Sequence, residues 1–393
     1  MKVVLAFSGG LDTSYCAIHL SKDLGYEVHA VTVNTGGFSL EEKKELETKA
    51  LKLGVASYQF LDETEAFYQK GVKYLLFGNV LKNNTYPLSV SAERVFQAVA
   101  IAKWAKKIGA EAIAHGSTGA GNDQIRFDLV FQILCPKIKI ITPIRDQQLS
   151  REQEINFLKE NGVEGNWEKA KYSINQGLWG TSVGGKETLT SDQYLPEEAF
   201  PGQLQKEGSE TISVGFKIGE SVSINGEKNN PIEIIQQLNE LGSQYAIGRD
   251  IHVGDTIIGI KGRVGFEAPA ALMLIKAHHT LEKHILTKTQ LKLKDQLAGW
   301  YGDMMHEGQY LDPAMRDIES FFESTQQHVI GEVKIHLAPY RFYVEGISSP
   351  YDLMKSSFGQ YGEMNNAWTG DDAKGFVKIL SNQGKIFNSV HHD

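Results

Sequence analysis

Ser8, Gly9, Gly10, Leu11, Asp12, Thr13 and Ser14 put two glycines, one acid and three hydroxyl side chains into seven residues, SGGLDTS. They follow the apolar run VVLAF, Val3 to Phe7, and lead into a helix-like stretch. A glycine-rich turn between a parallel strand and a helix aims main-chain N–H groups outward at the positive helix end, where an anion gains hydrogen bonds and dipole stabilisation. Phosphate is the usual occupant. The stretch is not GxxxxGKS or GxxxxGKT, so the lysine that such loops send to the β and γ phosphates is missing, and it is not the GxGxxG of dinucleotide sites. Hydroxyls on both sides suit a whole pyrophosphate held by neutral donors. Asp12 has two readings, a cap on the helix or a ligand for a Mg2+ that neutralises the phosphates, with capping preferred.

A second segment, AEAIAHGSTGAGNDQIRFDL, repeats the order of strand, glycine loop and helix, with Gly116, Gly119 and Gly121 in the loop. If NDQIRFDL is helical, Asn122 and Arg126 lie four apart and Asp123 and Arg126 three apart, so all three share one face. That face offers an amide, a carboxylate and a guanidinium. Asp123 can accept from an α-ammonium, Arg126 can grip a carboxylate or ureido oxygen, and Asn122 can do either. A plain surface ion pair is the alternative reading.

SGGLDTS is similar to the SGGxDS signature of the PP-loop family, also called N-type ATP pyrophosphatases. Together with HGSTGAGNDQIRF, YPLSVSAER, YSINQGLWGTS and AIGRDIHVGDTIIGIKGRVGFEAPA, it resembles the argininosuccinate synthase family over most of the chain. The resemblance implies an ATP-dependent ligase of arginine biosynthesis. In that family the ureido oxygen of citrulline attacks the α-phosphorus of ATP, giving a citrullyl-adenylate and pyrophosphate, and the amine of aspartate then displaces AMP. Carried over by motif, ATP lies on Ala6, Phe7, Ser8, Gly9, Gly10, Leu11, Asp12, Thr13 and Ser14, with Val33 near adenine and Gly116 in the later loop. Citrulline meets Tyr86, Ser91, Asn122, Arg126, Ser173 and Ser182; aspartate meets Thr118, Asn122 and Asp123. Asp12, Asp123 and Arg126 are the expected catalytic residues, and no strong base is evident. Mg2+ accompanies ATP, and a homotetramer is implied. Three positions depart from the pattern: Gly254 stands where a glutamate is common, Phe266 where a tyrosine is, and Val90 where a threonine is. His252 or Asp255 is left to supply polar contacts there.

Positioning these loops requires a layered scaffold. KVVLAF, TSYCAIHLSKDL, EVHAVTVN, LEEKKELETKALKLG, SYQFLD, EAIAHG and IKIITPI alternate strand-like and helix-like patterns, the signature of an α/β doubly wound parallel sheet with both faces covered. The expected nucleotide-binding domain is 1–165. A Gly, Ser and Thr-rich stretch then opens an α+β synthetase domain, 166–360, with strands at ETISVGFKI, ESVSI and HVGDTIIGI and helices from Pro269 to His284 and through LKLKDQLAGWYGDMMH. The tail, 361–393, is either an inter-subunit arm or a frayed terminus.

Bulk properties narrow the function classes. The 393 residues are 41% hydrophobic and 22% charged, with no apolar run near the roughly 18 residues of a membrane span and no secretory leader pattern. Net charge of −8 argues against nucleic acid as a partner, since phosphate neutralisation needs clustered Lys and Arg, and leaves small molecules as the expected substrates. Cys16 and Cys135 form no CxxC pair, which fits a reducing cytoplasm. His278, His279 and His284 lack the HExxH arrangement, so no metal is assigned to them. Trp179, between Ser173 and Ser182, is the one tryptophan singled out as more than packing. The rivals are another PP-loop adenylating enzyme, such as a tRNA thiolase or amide synthetase, and a non-catalytic ATP sensor.

Overall fold

The computed structural model describes residues 1–163, 165, 171–359, 361–363 and 367–391. The expected junction at residues 165 and 166 borders 166–170, which lie outside the described residues, as does Trp167.

Apolar runs in the first part become strands β1 (Lys2–Ala6), β2 (Glu27–Asn34), β3 (Ser57–Asp62), β4 (Ala112–Ala114) and β5 (Lys139–Ile141). All pair in parallel, in the order β3-β2-β1-β4-β5. Helices cover both faces, which is why Val3, Val4 and Leu5 are all fully buried rather than alternating. Strand order reverses between β1 and β4, so the loops leaving their carboxyl ends splay apart and open a crevice at that switch point. Those two loops carry SGG and HGSTGAGN.

The helix Leu11–Ile18 follows the first loop and widens into a five-residue turn with π-type bonding, His19–Asp23. Leu40–Lys52 begins at a reciprocal cap, Ser39 with Glu42. Ser89–Lys107 is the exception to surface helices: polar Ser89, Ser91 and Glu93 are buried along with its alanines and valines. It runs between the parallel sheet and the second half of the chain.

Among the described residues nine further strands follow: β6 (Ser173–Gly177), β7 (Gly180–Gly184), β8 (Glu210–Lys217), β9 (Glu220–Ile224), β10 (Glu227–Lys228), β11 (Arg249–Asp255), β12 (Lys261–Glu267), β13 (Gly331–Ala338) and β14 (Arg341–Ser348). They form two antiparallel sheets, β11-β12-β7-β6 and β10-β9-β8-β13-β14. HVGDTIIGI is therefore not one strand: β11 ends at Asp255 and TIIGI turns the hairpin into β12, closed by Thr256 N–H donating to the Ile260 carbonyl at 2.7 Å. The expected helices are Pro269–Ile285 and Lys288–His306, and the chain adds Pro231–Gln244 and Pro313–Gln326.

One apolar cluster spans both halves, from Val4, Phe96 and Phe131 to Phe266, Met305 and Phe322. A buried polar knot reinforces the junction. Lys294 donates to the Phe77 carbonyl at 2.5 Å and pairs with Glu282 at 2.8 Å, while Asn79 donates to Glu282 at 2.6 Å. The His278 ring lies 2.7 Å from Asn79 Oδ1 and 2.8 Å from Gln326 Oε1, so both its nitrogens have protein partners. Trp179 is buried and donates its indole N–H to the Pro87 carbonyl at 3.0 Å, leaving no open face for stacking. Among the described residues no helix is long and apolar enough to cross a membrane.

Candidate active site

At the tip of β1 the chain turns through Gly9, whose φ of +73° lies in the left-handed region that glycine adopts without strain. A Cβ there would also sit 2.4 Å from Leu46 Cδ2. The turn is held from inside by its hydroxyls: Ser14 Oγ donates to the Gly10 carbonyl at 2.7 Å, and Ser8 Oγ and Thr13 Oγ1 lie 3.3 Å apart. Lys49 reaches the Gly9 carbonyl from below at 2.5 Å. Gly10 occupies the cap position of the helix, so its first-turn N–H groups point into the crevice with the dipole behind them.

Asp12 does not cap this helix; no side chain does. Its charge instead acts on Glu154, on the helix Arg151–Glu160. Burial, and next the charge of Asp12, push the Glu154 carboxyl up to about 8, so at neutral pH Glu154 carries the proton. The buried Glu154 Oε2 has no hydrogen-bond partner among the described residues. The preferred reading of Asp12 as a cap is thus not met: the carboxylate raises Glu154 instead of capping the helix.

The second loop leaves β4 beside the first; a Cβ on Gly116 would lie 3.0 Å from Asp12 Cβ, so the two backbones approach as closely as glycine permits. Asn122 stands just before the helix Asp123–Leu134, which puts Asp123 in its first turn and Arg126 one turn on. The expected shared face forms, with Arg126 Nη1 donating to Asp123 Oδ1 at 2.9 Å. Asp123 Oδ2 is taken as well, by Arg94 Nε at 3.1 Å. Burial raises the Asp123 carboxyl, but the two guanidinium groups outweigh it and hold it below the ordinary carboxylate range. Asn122 Oδ1 accepts from Ile257 N–H at 2.9 Å across the β11–β12 turn, leaving its amide hydrogens to face the crevice.

Both loops open on one cavity of about 1300 Å³. Ala6, Phe7, Ser8, Gly10, Leu11, Asp12, Thr13, Val33, Gly116, Tyr86, Ser91, Thr118, Asn122, Asp123, Arg126, Ser173 and Ser182 all border it. Of the expected site residues only Gly9 and Ser14 do not, and both shape the loop from behind. Its size exceeds the roughly 300–1,000 Å³ of ordinary small-molecule sites, in keeping with more than one ligand.

Of the three departures from the family pattern, Val90 borders the cavity, and Gly254 and Phe266 are each set by their neighbours. Gly254 leaves space that the His252 imidazole fills: a Cβ at 254 would come within 2.5 Å of His252 Nε2. His252 stacks on Tyr86 at 5.3 Å and its ring is pushed down by burial and then by Lys82, so it is a neutral neighbour of the cavity wall. Asp255 turns away to pair with Lys261 at 2.7 Å. Phe266 is fully buried against Tyr86, with ring centres 5.5 Å apart.

Three groups escaped the sequence reading. Arg94 braces Asp123, Gln97 and Asn175, at 3.1, 3.0 and 2.8 Å. It lies in YPLSVSAER, three residues after Ser91, where helical spacing could have found it. Glu93, its neighbour, is buried and bonded to Thr35, with its carboxyl pushed up to about 7 by burial. His306 borders the cavity from a helix 180 residues away, and nothing local marks it.

Comparison with known proteins assigns both halves. Residues 2–164 match the family described as arginosuccinate synthase N-terminal HUP domain, and residues 172–387 match the arginosuccinate synthase C-terminal domain. Curated argininosuccinate synthases are similar along nearly the whole length. That of Methanocaldococcus jannaschii is 39% identical, covering 92% of this chain and 91% of its own. Those of Dictyoglomus thermophilum and Sulfurisphaera tokodaii are each 35% identical, covering 98% and 99% of this chain and 97% and 100% of their own. With the phosphate-type loop, the amide–carboxylate–guanidinium face and a single cavity joining them, the chain is an enzyme of the argininosuccinate synthase family.

Proposed function

We propose that the enzyme joins L-citrulline and L-aspartate through a citrullyl-adenylate, releasing AMP and pyrophosphate. The observation that carries this reading is the single cavity onto which the SGG loop and the Asn122, Asp123 and Arg126 face both open. The triphosphate of ATP lies on the first loop, its β and γ phosphates against the helix N–H groups and the Ser8 and Thr13 hydroxyls, with the adenine beside Val33. Citrulline lies along Tyr86, Ser91, Arg126, Ser173 and Ser182, and aspartate against Thr118, Asn122 and Asp123.

The ureido oxygen attacks the α-phosphorus and the bond to pyrophosphate breaks. The amine of aspartate then attacks the ureido carbon, the carbon–oxygen bond breaks, and the oxygen leaves on AMP. Both steps need alignment and charge stabilisation more than a strong base. Asp123 has both oxygens bound by arginines, so its role is to fix Arg94 and Arg126 and present a carboxylate edge to the aspartate ammonium. A Mg2+ travelling with ATP would be held by Asp12, which borders the cavity at the first loop. When bound, such an ion supplies positive charge to the departing pyrophosphate.

Two further parts of the reading concern the whole enzyme. It works in a reducing cytoplasm on small molecules rather than nucleic acid, which suits the buried thiols Cys16 and Cys135. It assembles as a homotetramer through the tail helices Gly370–Leu380 and Asn382–His391, neither of which buries a residue within the chain.

Citrulline labelled with 18O in the ureido group tests the chemistry. The label is expected in AMP, with AMP and pyrophosphate formed only when ATP and citrulline are both present. Label retained in the amino-acid product would refute the adenylate.

A further inference from the structure

His306 ends the helix Lys288–His306, so its carbonyl is among those that the helix itself leaves without a partner. Arg126 takes it: Nε–H donates to the His306 carbonyl at 2.8 Å. Arg126 Nη2 also lies 3.4 Å from His306 Nδ1. A guanidinium has donors only, so Nδ1 is the acceptor, and the proton of the neutral ring sits on Nε2. Nδ1 is the ring nitrogen of His306 that has a bond among the described residues, and His306 borders the cavity. Counting Nη1–H to Asp123, three of the five N–H groups of Arg126 are spent on the protein, which leaves two for a ligand.

The charges around this corner are unbalanced. Arg94 and Arg126 flank the carboxylate of Asp123, Glu93 beside Arg94 is bonded to Thr35 with its carboxyl pushed up by burial, and Lys82 nearby is matched by Asp303 at 2.6 Å. An anionic group is what the corner lacks. Burial, then Arg126, Lys82 and His252, push the His306 ring down to about 2, with Asp123 opposing them, so it stays a neutral donor throughout the working range. The corner also lies away from the first loop: Gly116 packs against Asp12 at the start of the second loop, whereas Arg126 is a helical turn beyond that loop and anchored to the second half.

Resting on the citrulline reading above, we propose that His306 is a specificity-determining residue whose Nε2–H donates to the carboxylate of citrulline, while the two remaining N–H groups of Arg126 hold the same carboxylate. The neutral imidazole contributes a donor that is fixed by Arg126 and cannot titrate away. Because the Arg126 bond to residue 306 is to the main chain, replacing the ring leaves the stronger of the two tethers in place.

The test compares citrulline with N-carbamoyl-1,4-diaminobutane, the same ureido compound without the carboxylate, in AMP formation. His306→Leu is expected to raise KM for citrulline by about tenfold or more, the worth of one hydrogen bond to a charged group, with KM for ATP and aspartate changed less than about threefold. Its preference for citrulline over the decarboxylated analogue should shrink by about the same tenfold. His306→Asn, which keeps a neutral N–H donor, should recover most of that preference and supplies the folded control if the leucine variant is unstable. Unchanged discrimination in both variants, or an equal rise in KM for all three substrates, overturns the proposal. Wild-type protein that forms no AMP with citrulline overturns the ligase reading and this inference together.

Discussion

Asp123 is where the structure most changes what one residue means. A carboxylate free to bind an ammonium would, on removal, damage one substrate site; this one also clamps two arginines, with 38% of its side chain still exposed. Asp123→Ala is therefore expected to raise KM for aspartate and for citrulline by about tenfold or more each, about 1.4 kcal/mol per site, with KM for ATP nearly unchanged, as steady-state kinetics will measure. A rise confined to aspartate would mean that the clamp on Arg126 is unimportant. His306 gives a stability prediction at the same scale. Its folded pKa is lowered from 6.5 to about 2, so between those values the unfolded chain binds a proton that the folded chain does not. Its contribution is complete above pH 6.5 and is lost as pH falls, at up to about 1.4 kcal/mol per pH unit. Denaturant unfolding of wild type and His306→Leu from pH 7 to 4 should show the wild type losing more stability on acidification.

Among the elements, the first loop separates fold from function within two adjacent glycines. Gly9 has a left-handed φ of +73°, so Gly9→Val is expected to destabilise the protein by about 1–2 kcal/mol in denaturant unfolding. Gly10 has an ordinary φ of −72°, and a Cβ on it would meet nothing nearer than Ser8 Oγ at 3.4 Å. Gly10→Val should keep the melting temperature while weakening ATP binding by about tenfold or more in titration calorimetry, because its side chain enters the cavity. The flanking strands were legible since VVLA and AVTV are buried on both faces. Ser89–Lys107 was not: with Ser89, Ser91 and Glu93 buried and exposure confined to Lys103, Lys106 and Lys107, no continuous polar face sets its period. The Arg94 contribution was hidden with it.

For the whole molecule, the tail is the part that the chain alone does not explain. Phe376, Ile379, Leu380, Phe387 and Val390 are all exposed, an apolar content that a solitary surface helix pair does not need. Under the proposed assembly, Phe376→Ser with Leu380→Ser and Phe387→Ser should reduce the sedimenting mass to that of smaller oligomers, while near-ultraviolet circular dichroism stays native because no core residue is touched. Full-size assemblies in the triple variant would assign the oligomer contact elsewhere. The cavity is also a property of the whole. β6 and β7 contribute Ser173 and Ser182, and the β11–β12 turn receives Asn122, so a wall built by the second half completes a site begun by the first.

The sequence alone determined the local chemistry: a glycine turn between apolar strand and helix, a second such turn, and three functional groups at helical spacing. Backbone conformation and periodicity are short-range, and seven to twenty residues suffice to specify them. Tertiary structure decided everything that depends on which distant groups meet. It set the charge of Asp12 against Glu154 instead of a helix end, surrounded Asp123 with two arginines, filled the place of a missing side chain at Gly254 with His252, and brought His306 across 180 residues to Arg126. Those contacts come from packing one apolar core across both halves, and no local pattern encodes a partner that lies far away in sequence.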